Sequence, residues 1–202
     1  DAAAAAAIET LAAARRAELP AVVLAGEAQR LARTLRDWLV DVECARPPFE
    51  VRAVESDGAL ELPGLRLRLR FDRVDALVDG GVALIDYKSG AATTPGKWFE
   101  PRPQAPQLAL YALAQRAAEP RLPIRAVAYA QLKPGAVKAV GVAADAGAWP
   151  ELLLPAAIRT APLPDWAAVE AHWTRALVGL AADFVAGRAD VTPRNRRDSC
   201  QY

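Results

Sequence analysis

Apolar residues recur along this 202-residue chain with two different periods, helical at both ends and alternating in the middle. Over residues 2–18 Ala, Leu and Arg dominate, all strong helix formers, and Pro20 stands where a second helix can begin at its first turn. In that second segment Leu31, Leu35, Trp38 and Leu39 recur at helical spacing. Pro47-Pro48 must end it, because neither proline can donate a helix hydrogen bond. Residues 49–54 then form a short β-like run, Asp57-Gly58 is a turn signal, and residues 65–71 alternate Leu or Phe with Arg in a strict period of two. Asp79-Gly80-Gly81 supplies residues that tolerate positive φ, so 71–78 and 82–87 read as a hairpin. After a loop rich in Pro and Gly, residues 104–118 are helical by propensity, and 124–132 with 137–142 form a strand pair around Lys133-Pro134-Gly135. A last helix starts near the capping candidate Asp165 and carries Trp166, Val169, Trp173, Leu177, Leu180 and Phe184 along one stripe, ending at Gly187.

This order of elements predicts an α/β fold: a mixed central β-sheet flanked by helices, with an N-terminal helical extension. Residues 1–48 are expected to form a helical segment packed on a core of residues 49–202. With 53% hydrophobic residues the chain is long enough to bury one substantial core. A net charge of +1 gives no global attraction to nucleic acid, so binding of a polyanion must rest on local patches. Two cysteines, Cys44 and Cys200, are too few for a disulfide framework, and a reduced, cytoplasmic setting is the simpler expectation. No apolar run approaches a membrane span, and Ala2 to Ala7 lack the layout of a signal peptide. The chain has no initiating Met and stops at Ser199-Cys200-Gln201-Tyr202, which reads as a piece of a larger protein.

The candidate chemistry sits on the hairpin. Because side chains alternate along a strand, Asp86 and Lys88 share one face and Tyr87 takes the other. Whether Asp72 joins them depends on register. A three-residue loop Asp79-Gly80-Gly81 pairs Val78 with Val82 and Asp72 with Lys88, whereas a two-residue Gly80-Gly81 loop pairs Asp75 with Asp86 and makes Asp75 the partner. Asp72 is preferred, since Arg66, Arg68 and Arg70 lie on its side and Leu65, Leu67, Leu69 and Phe71 fill the other. Two neighbouring carboxylates are unfavourable unless a cation neutralises them, which points to a hard divalent ion such as Mg²⁺ or Mn²⁺. Lys88 then suits the holding of a water or the offsetting of charge on a phosphate. Alone, such an Asp-x-Lys pair is an ordinary feature of a solvated strand. The apolar run Val82-Ala83-Leu84-Ile85 leading into it argues otherwise, since a buried strand does not end in ionisable groups without partners. Gln107 and Tyr111, four apart, share a helix face that either meets a nucleic-acid strand or packs on the sheet. His172 is the only histidine and reads as a helix-packing residue, which argues against a His-based zinc site or a Ser-His-Asp triad. No Walker-type phosphate loop occurs.

Three motifs in order, Phe71-Asp72-Arg73-Val74-Asp75, Leu84-Ile85-Asp86-Tyr87-Lys88-Ser89-Gly90 and Gln107-Leu108-Ala109-Leu110-Tyr111, resemble the RecB-like branch of the PD-(D/E)xK nuclease superfamily. More narrowly they resemble the C-terminal nuclease domain of AddB-like DNA repair proteins, over a core of about residues 49–132. The resemblance implies a restriction-endonuclease-like core. It also implies a Mg²⁺-dependent deoxyribonuclease acting in DNA repair and recombination beside a helicase subunit or helicase-like region. By the same resemblance Asp72 and Asp86 are metal ligands, Lys88 is the catalytic lysine, Gln107, Tyr111 and Tyr87 support the site and the DNA strand, and Glu55 is an additional acid. Cys200 matches the approach to a cysteine cluster that helps bind an iron–sulfur cluster in the full-length protein, with Cys44 as an unsupported partner. The chain departs from the pattern at Arg70, where the family often has Gly, and no His precedes Asp72. These departures leave room for an inactive nuclease-fold module that binds DNA or a partner subunit. A third reading, an unrelated α/β domain, requires Asp72 and Asp86 to lie far apart.

Overall fold

A computed structural model describes residues 2–14, 20–90 and 94–190. In chain order the elements are α1 (Ala2–Ala14), α2 (Ala21–Asp41), β1 (Phe49–Leu62), β2 (Leu65–Leu77), β3 (Val82–Lys88), α3 (Gln107–Ala118), β4 (Ile124–Gln131), β5 (Lys138–Ala143) and α4 (Trp166–Val185). The strands form one five-stranded sheet in the order of the chain, antiparallel everywhere except between β3 and β4. A parallel pair needs a crossover, and α3 supplies it. The result is the mixed α/β architecture of the restriction-endonuclease-like class, with helices leading into it from the N-terminus. Val82, Ala83, Leu84 and Ile85 are wholly buried because β3 is covered on both faces.

Alternation divides the core into two layers. Leu84, Leu108, Val127, Tyr129, Val169 and Trp173 pack between the sheet and helices α3 and α4. On the reverse face Ile85 and Ala128 pack with Trp38 from the end of α2 and with Trp149 and Leu152 from the segment after β5. Asp165 caps α4 by accepting a 2.8 Å hydrogen bond from the Ala168 amide, and Gly187, at φ +70°, ends it. Two expected stripes are shorter than their spacing implied. Phe184 is 72% exposed beyond the inward run Val169, Trp173 and Leu177. In α2 Trp38 turns inward and donates its indole N–H to Glu43 at 2.7 Å, which rolls Leu35 and Leu39 toward solvent.

The Asp57-Gly58 turn is absent. β1 runs straight through these residues, and the chain reverses at Pro63-Gly64, with Gly64 at φ +75°. Gly58 is there for space: a Cβ at this position would lie 2.3 Å from the Phe71 ring across the ladder. Gly141 on β5 is a second packing glycine, since its Cβ would meet the Val127 carbonyl oxygen at 2.1 Å. Gly141→Ala is therefore expected to force β5 away from β4 and cost roughly 1–3 kcal/mol. Urea unfolding reads this, and an unchanged midpoint would contradict the packing argument.

Candidate functional site

The β2–β3 ladder pairs Ala76 with Val82, Asp75 with Ala83, Val74 with Leu84 and Arg73 with Ile85. Continued by one step, this register sets Asp72 opposite Asp86, not opposite Lys88. The loop again holds three residues but lies one position earlier, over Val78-Asp79-Gly80, with the Leu77 amide bonded to the Gly81 carbonyl at 3.0 Å. The odd count keeps Asp72 on the face of Asp86 and Lys88. Asp72 Oδ2 accepts the Tyr87 backbone N–H at 2.9 Å, joining the two strand ends just past the last ladder pair. Asp75 falls on the reverse face, fully buried among arginines, which removes it as an alternative partner for Asp86.

The alternation of Arg66, Arg68 and Arg70 is a poor guide to Asp72. Leu67, Leu69 and Phe71 at odd positions pack in the same cluster as Val74 at an even one, so β2 changes its inward parity around Asp72-Arg73. Glu55 stands opposite this change, between the pairs Val54 with Arg73 and Ser56 with Phe71, in a left-handed conformation at φ +49°. Its carboxylate pairs with exposed Arg70 at 2.8 Å. The Arg70 cation thus turns to Glu55, while the Arg70 carbonyl serves the site from the main chain.

Three side chains close a ring, and a fourth, Tyr111, anchors it. Lys88 Nζ lies 2.5 Å from Asp86 Oδ2 and donates to Gln107 Oε1 at 2.8 Å. Gln107 Nε2 donates to Asp86 Oδ1 at 2.6 Å and to Tyr111 Oη at 2.9 Å. Tyr111 Oη donates to the Arg70 carbonyl at 2.5 Å, tying α3 to β2. The Lys88 ammonium also sits 5.1 Å from the centre of the Tyr129 ring, whose strand position pairs with Asp86. Burial raises the Asp86 pKa above the ordinary carboxylate value, and the charge of Asp72 adds to this; the bonds from Lys88 and Tyr111 pull the other way. Burial and the two carboxylates likewise raise Tyr111, which stays a neutral donor.

Asp86 Oδ2 is buried, and the Lys88 ammonium is the partner that meets it. A buried carboxylate whose charge is felt by a second one fits a hard cation, whose preferred donors are oxygens. Among the described residues no group of three or more His, Cys, Asp and Glu gathers, so the pair Asp72 and Asp86 is the whole acidic donor set there. Glu55 stays with Arg70. His172 lies elsewhere, its ring 5.5 Å from that of Phe99, and burial lowers its pKa. Tyr87 points to the reverse face, where its hydroxyl meets Arg73 at 3.0 Å. Cys44 is exposed and free, and Cys200, with any pairing to it, lies outside the described residues.

Sequence reasoning missed the reverse-face cluster. Arg73 bonds Asp75 through Nε at 2.7 Å and Glu43 through Nη1 at 2.9 Å, and Arg46 Nη1 reaches Asp75 at 2.9 Å and Glu43 at 3.1 Å. The available signal was Arg73 and Asp75 two apart among Phe71, Val74 and Leu77 at the apolar end of β2, since buried charges must be paired.

A mixed sheet whose central strand ends in an aspartate and a lysine, with a second aspartate from the neighbouring strand, suits the holding of a divalent ion and a phosphate group side by side. The whole chain, residues 1–202, matches the sequence profile of the PD-(D/E)XK nuclease superfamily, and the protein belongs to that superfamily. Its members are usually nucleases that use divalent metal ions. No curated protein matches the sequence. Among the described residues no helix is long and apolar enough to cross a membrane.

Proposed function

We propose that this protein is a Mg²⁺-dependent deoxyribonuclease of the RecB/AddB-like kind, working in DNA repair beside a helicase subunit or helicase-like region. Its nuclease domain spans residues 49–202, and residues 1–48 form a helical segment packed on it. The observation that carries the reading is the closed ring of Asp86, Lys88 and Gln107, anchored by Tyr111, with Asp72 joined to the same strand end through the Tyr87 amide.

Asp72 and Asp86 would hold the divalent ion, which when bound polarises the phosphate and acidifies a water. The protein's own groups supply position and charge. Gln107 accepts from Lys88 and donates to Asp86, so it fixes the ammonium and the carboxylate relative to each other. Lys88, partly exposed, presents a compact positive charge to a phosphodiester that gains negative charge as it is attacked. Tyr111 anchors Gln107 and holds α3 against the β2 main chain.

A second reading follows from Glu55, whose pairing with Arg70 leaves two carboxylates at the site: a module that binds DNA or a partner subunit without cutting. Linear duplex and single-stranded DNA incubated with the protein separate the two. Cleavage with Mg²⁺ or Mn²⁺ that stops on chelation is expected; DNA bound but uncut at every divalent metal concentration would establish the second reading instead.

A further inference from the structure

The two candidate acidic ligands stand one step beyond the last backbone pair of the β2–β3 ladder, Arg73 with Ile85. Beyond that pair β2 runs on with β1 and β3 with β4, so the β2–β3 ladder no longer fixes the separation of the two like charges, which are useful only when it is fixed. Besides the tie through Tyr111 and Gln107, two direct contacts join the strands there, one on each face. On the site face Asp72 accepts the Tyr87 N–H at 2.9 Å. On the reverse face Arg73, the residue after Asp72, donates to the hydroxyl of Tyr87, the residue after Asp86, at 3.0 Å. The main chain completes the circuit: Asp72 to Arg73, across to Tyr87, and back through its amide to Asp72.

Arg73 is itself immobilised. It grips both oxygens of Asp75, at 2.7 and 3.0 Å, and both oxygens of Glu43, at 2.9 and 3.2 Å. Glu43 is fixed by the Trp38 indole and by Arg46, whose guanidinium lies between the Phe49 and Trp149 rings at 4.0 and 3.8 Å. Two arginines and two carboxylates make the group neutral. A buried ionic group of this kind is weak as a source of stability, because apolar side chains of similar volume serve as well or better. What apolar side chains cannot do is give Tyr87 a directed donor.

We infer that the buried group Glu43, Arg46, Arg73 and Asp75 is a positioning device which, through the Arg73–Tyr87 hydrogen bond, sets the separation of Asp72 and Asp86 from the opposite face of the sheet. Tyr87 and Arg73 are positioning residues, acting on the carboxylates through the main chain. The consequence for metal binding rests on the proposed function; the clamp itself does not.

Tyr87→Phe tests it. The substitution removes one partly exposed hydroxyl and keeps the ring, so the melting temperature should hold. Amide hydrogen exchange at residue 87 should quicken roughly tenfold, the scale of one lost hydrogen bond, with exchange in β4 and α3 unchanged. Mn²⁺ binding to the full chain, followed by the electron paramagnetic resonance signal of free Mn²⁺, should weaken roughly tenfold, as when an outer partner of a metal ligand is removed. KM for DNA should hold while kcat falls at limiting metal. Unchanged exchange at residue 87 would overturn the clamp, because a merely structural hydroxyl moves only the global stability. Asp86→Ala is the reference. Wild-type Mn²⁺ binding that survives Asp86→Ala would refute the metal reading alone, and the exchange result would still decide the clamp.

Discussion

Asp86→Asn is expected to lower metal-dependent DNA cleavage by at least on the order of 10²–10³-fold while raising the melting temperature of the metal-free protein at pH values above the Asp86 pKa. The two effects have one cause. Asp86 is 1% exposed, and burial followed by the charge of Asp72 holds its pKa above the unfolded value despite Lys88 and Tyr111. A carboxyl raised on folding favours the folded state in its protonated form. That contribution is fully present below the unfolded pKa and is lost as pH rises through the folded one. Above that pH the folded protein carries an ionised Asp86 at a net cost, which Asn removes at nearly constant shape. The stability difference between variant and wild type should be small in acid and grow as pH rises through the Asp86 pKa. Added Mn²⁺ should reverse the order, because a ligand that binds only the folded state stabilises the wild type by about 2.7 kcal/mol at a hundredfold excess over Kd. The measurement is a pair of melting curves across pH with and without Mn²⁺, beside a cleavage assay. A variant that melts lower than wild type without metal would show that Lys88 outweighs burial. Equal cleavage by both proteins would remove Asp86 from the chemistry.

The parts of this site that sequence made legible are those fixed by local geometry. Strand alternation alone puts Asp86 and Lys88 together, and a spacing of four on a helix puts Gln107 with Tyr111. The meeting of the two pairs follows from α3 being the crossover between parallel strands. Less legible was whatever depended on glycines that answer to packing. Gly80 and Gly81 both have positive φ, at +87° and +94°, so turn chemistry does not say which belongs to the loop. Tertiary contact decides: a Cβ on Gly81 would come 2.5 Å from the Pro123 carbonyl oxygen, which also accepts the Val82 amide at 2.9 Å. Gly58 misled in the same way, its glycine required by the Phe71 ring. The parity change in β2 at Asp72-Arg73 had no local mark either, since Glu55, opposite it, is not a residue that announces positive φ. The reverse-face cluster draws Glu43 and Arg46 to Arg73 and Asp75, 29 and 30 residues away, and no periodicity reaches that far.

That cluster also carries the largest stability effect expected of a single substitution. Glu43→Ala should cost about 3–5 kcal/mol, because it strips one carboxylate from a buried group and leaves two guanidinium ions sharing Asp75. Glu43 accepts from Trp38 at 2.7 Å, from Arg73 at 2.9 Å and from Arg46 at 3.1 Å, so three donors lose a partner together. Arg46 has no room to escape: its side chain is fully buried, and Nε and Nη2 have no hydrogen-bond partner even in the intact protein, only the faces of Phe49 and Trp149. The paired change Glu43→Leu with Arg46→Met should lose less than Glu43→Ala alone, since it removes one charge of each sign and refills the space with apolar groups. Urea unfolding of the three proteins decides the matter. Equal losses in single and double variants would mean that packing rather than charge pairing dominates, and a loss below about 1 kcal/mol for Glu43→Ala would mean that water reaches the cluster. If the double variant keeps its stability yet binds Mn²⁺ more weakly, the group's use lies in where it holds Arg73, and through it the two aspartates on the other side of the sheet.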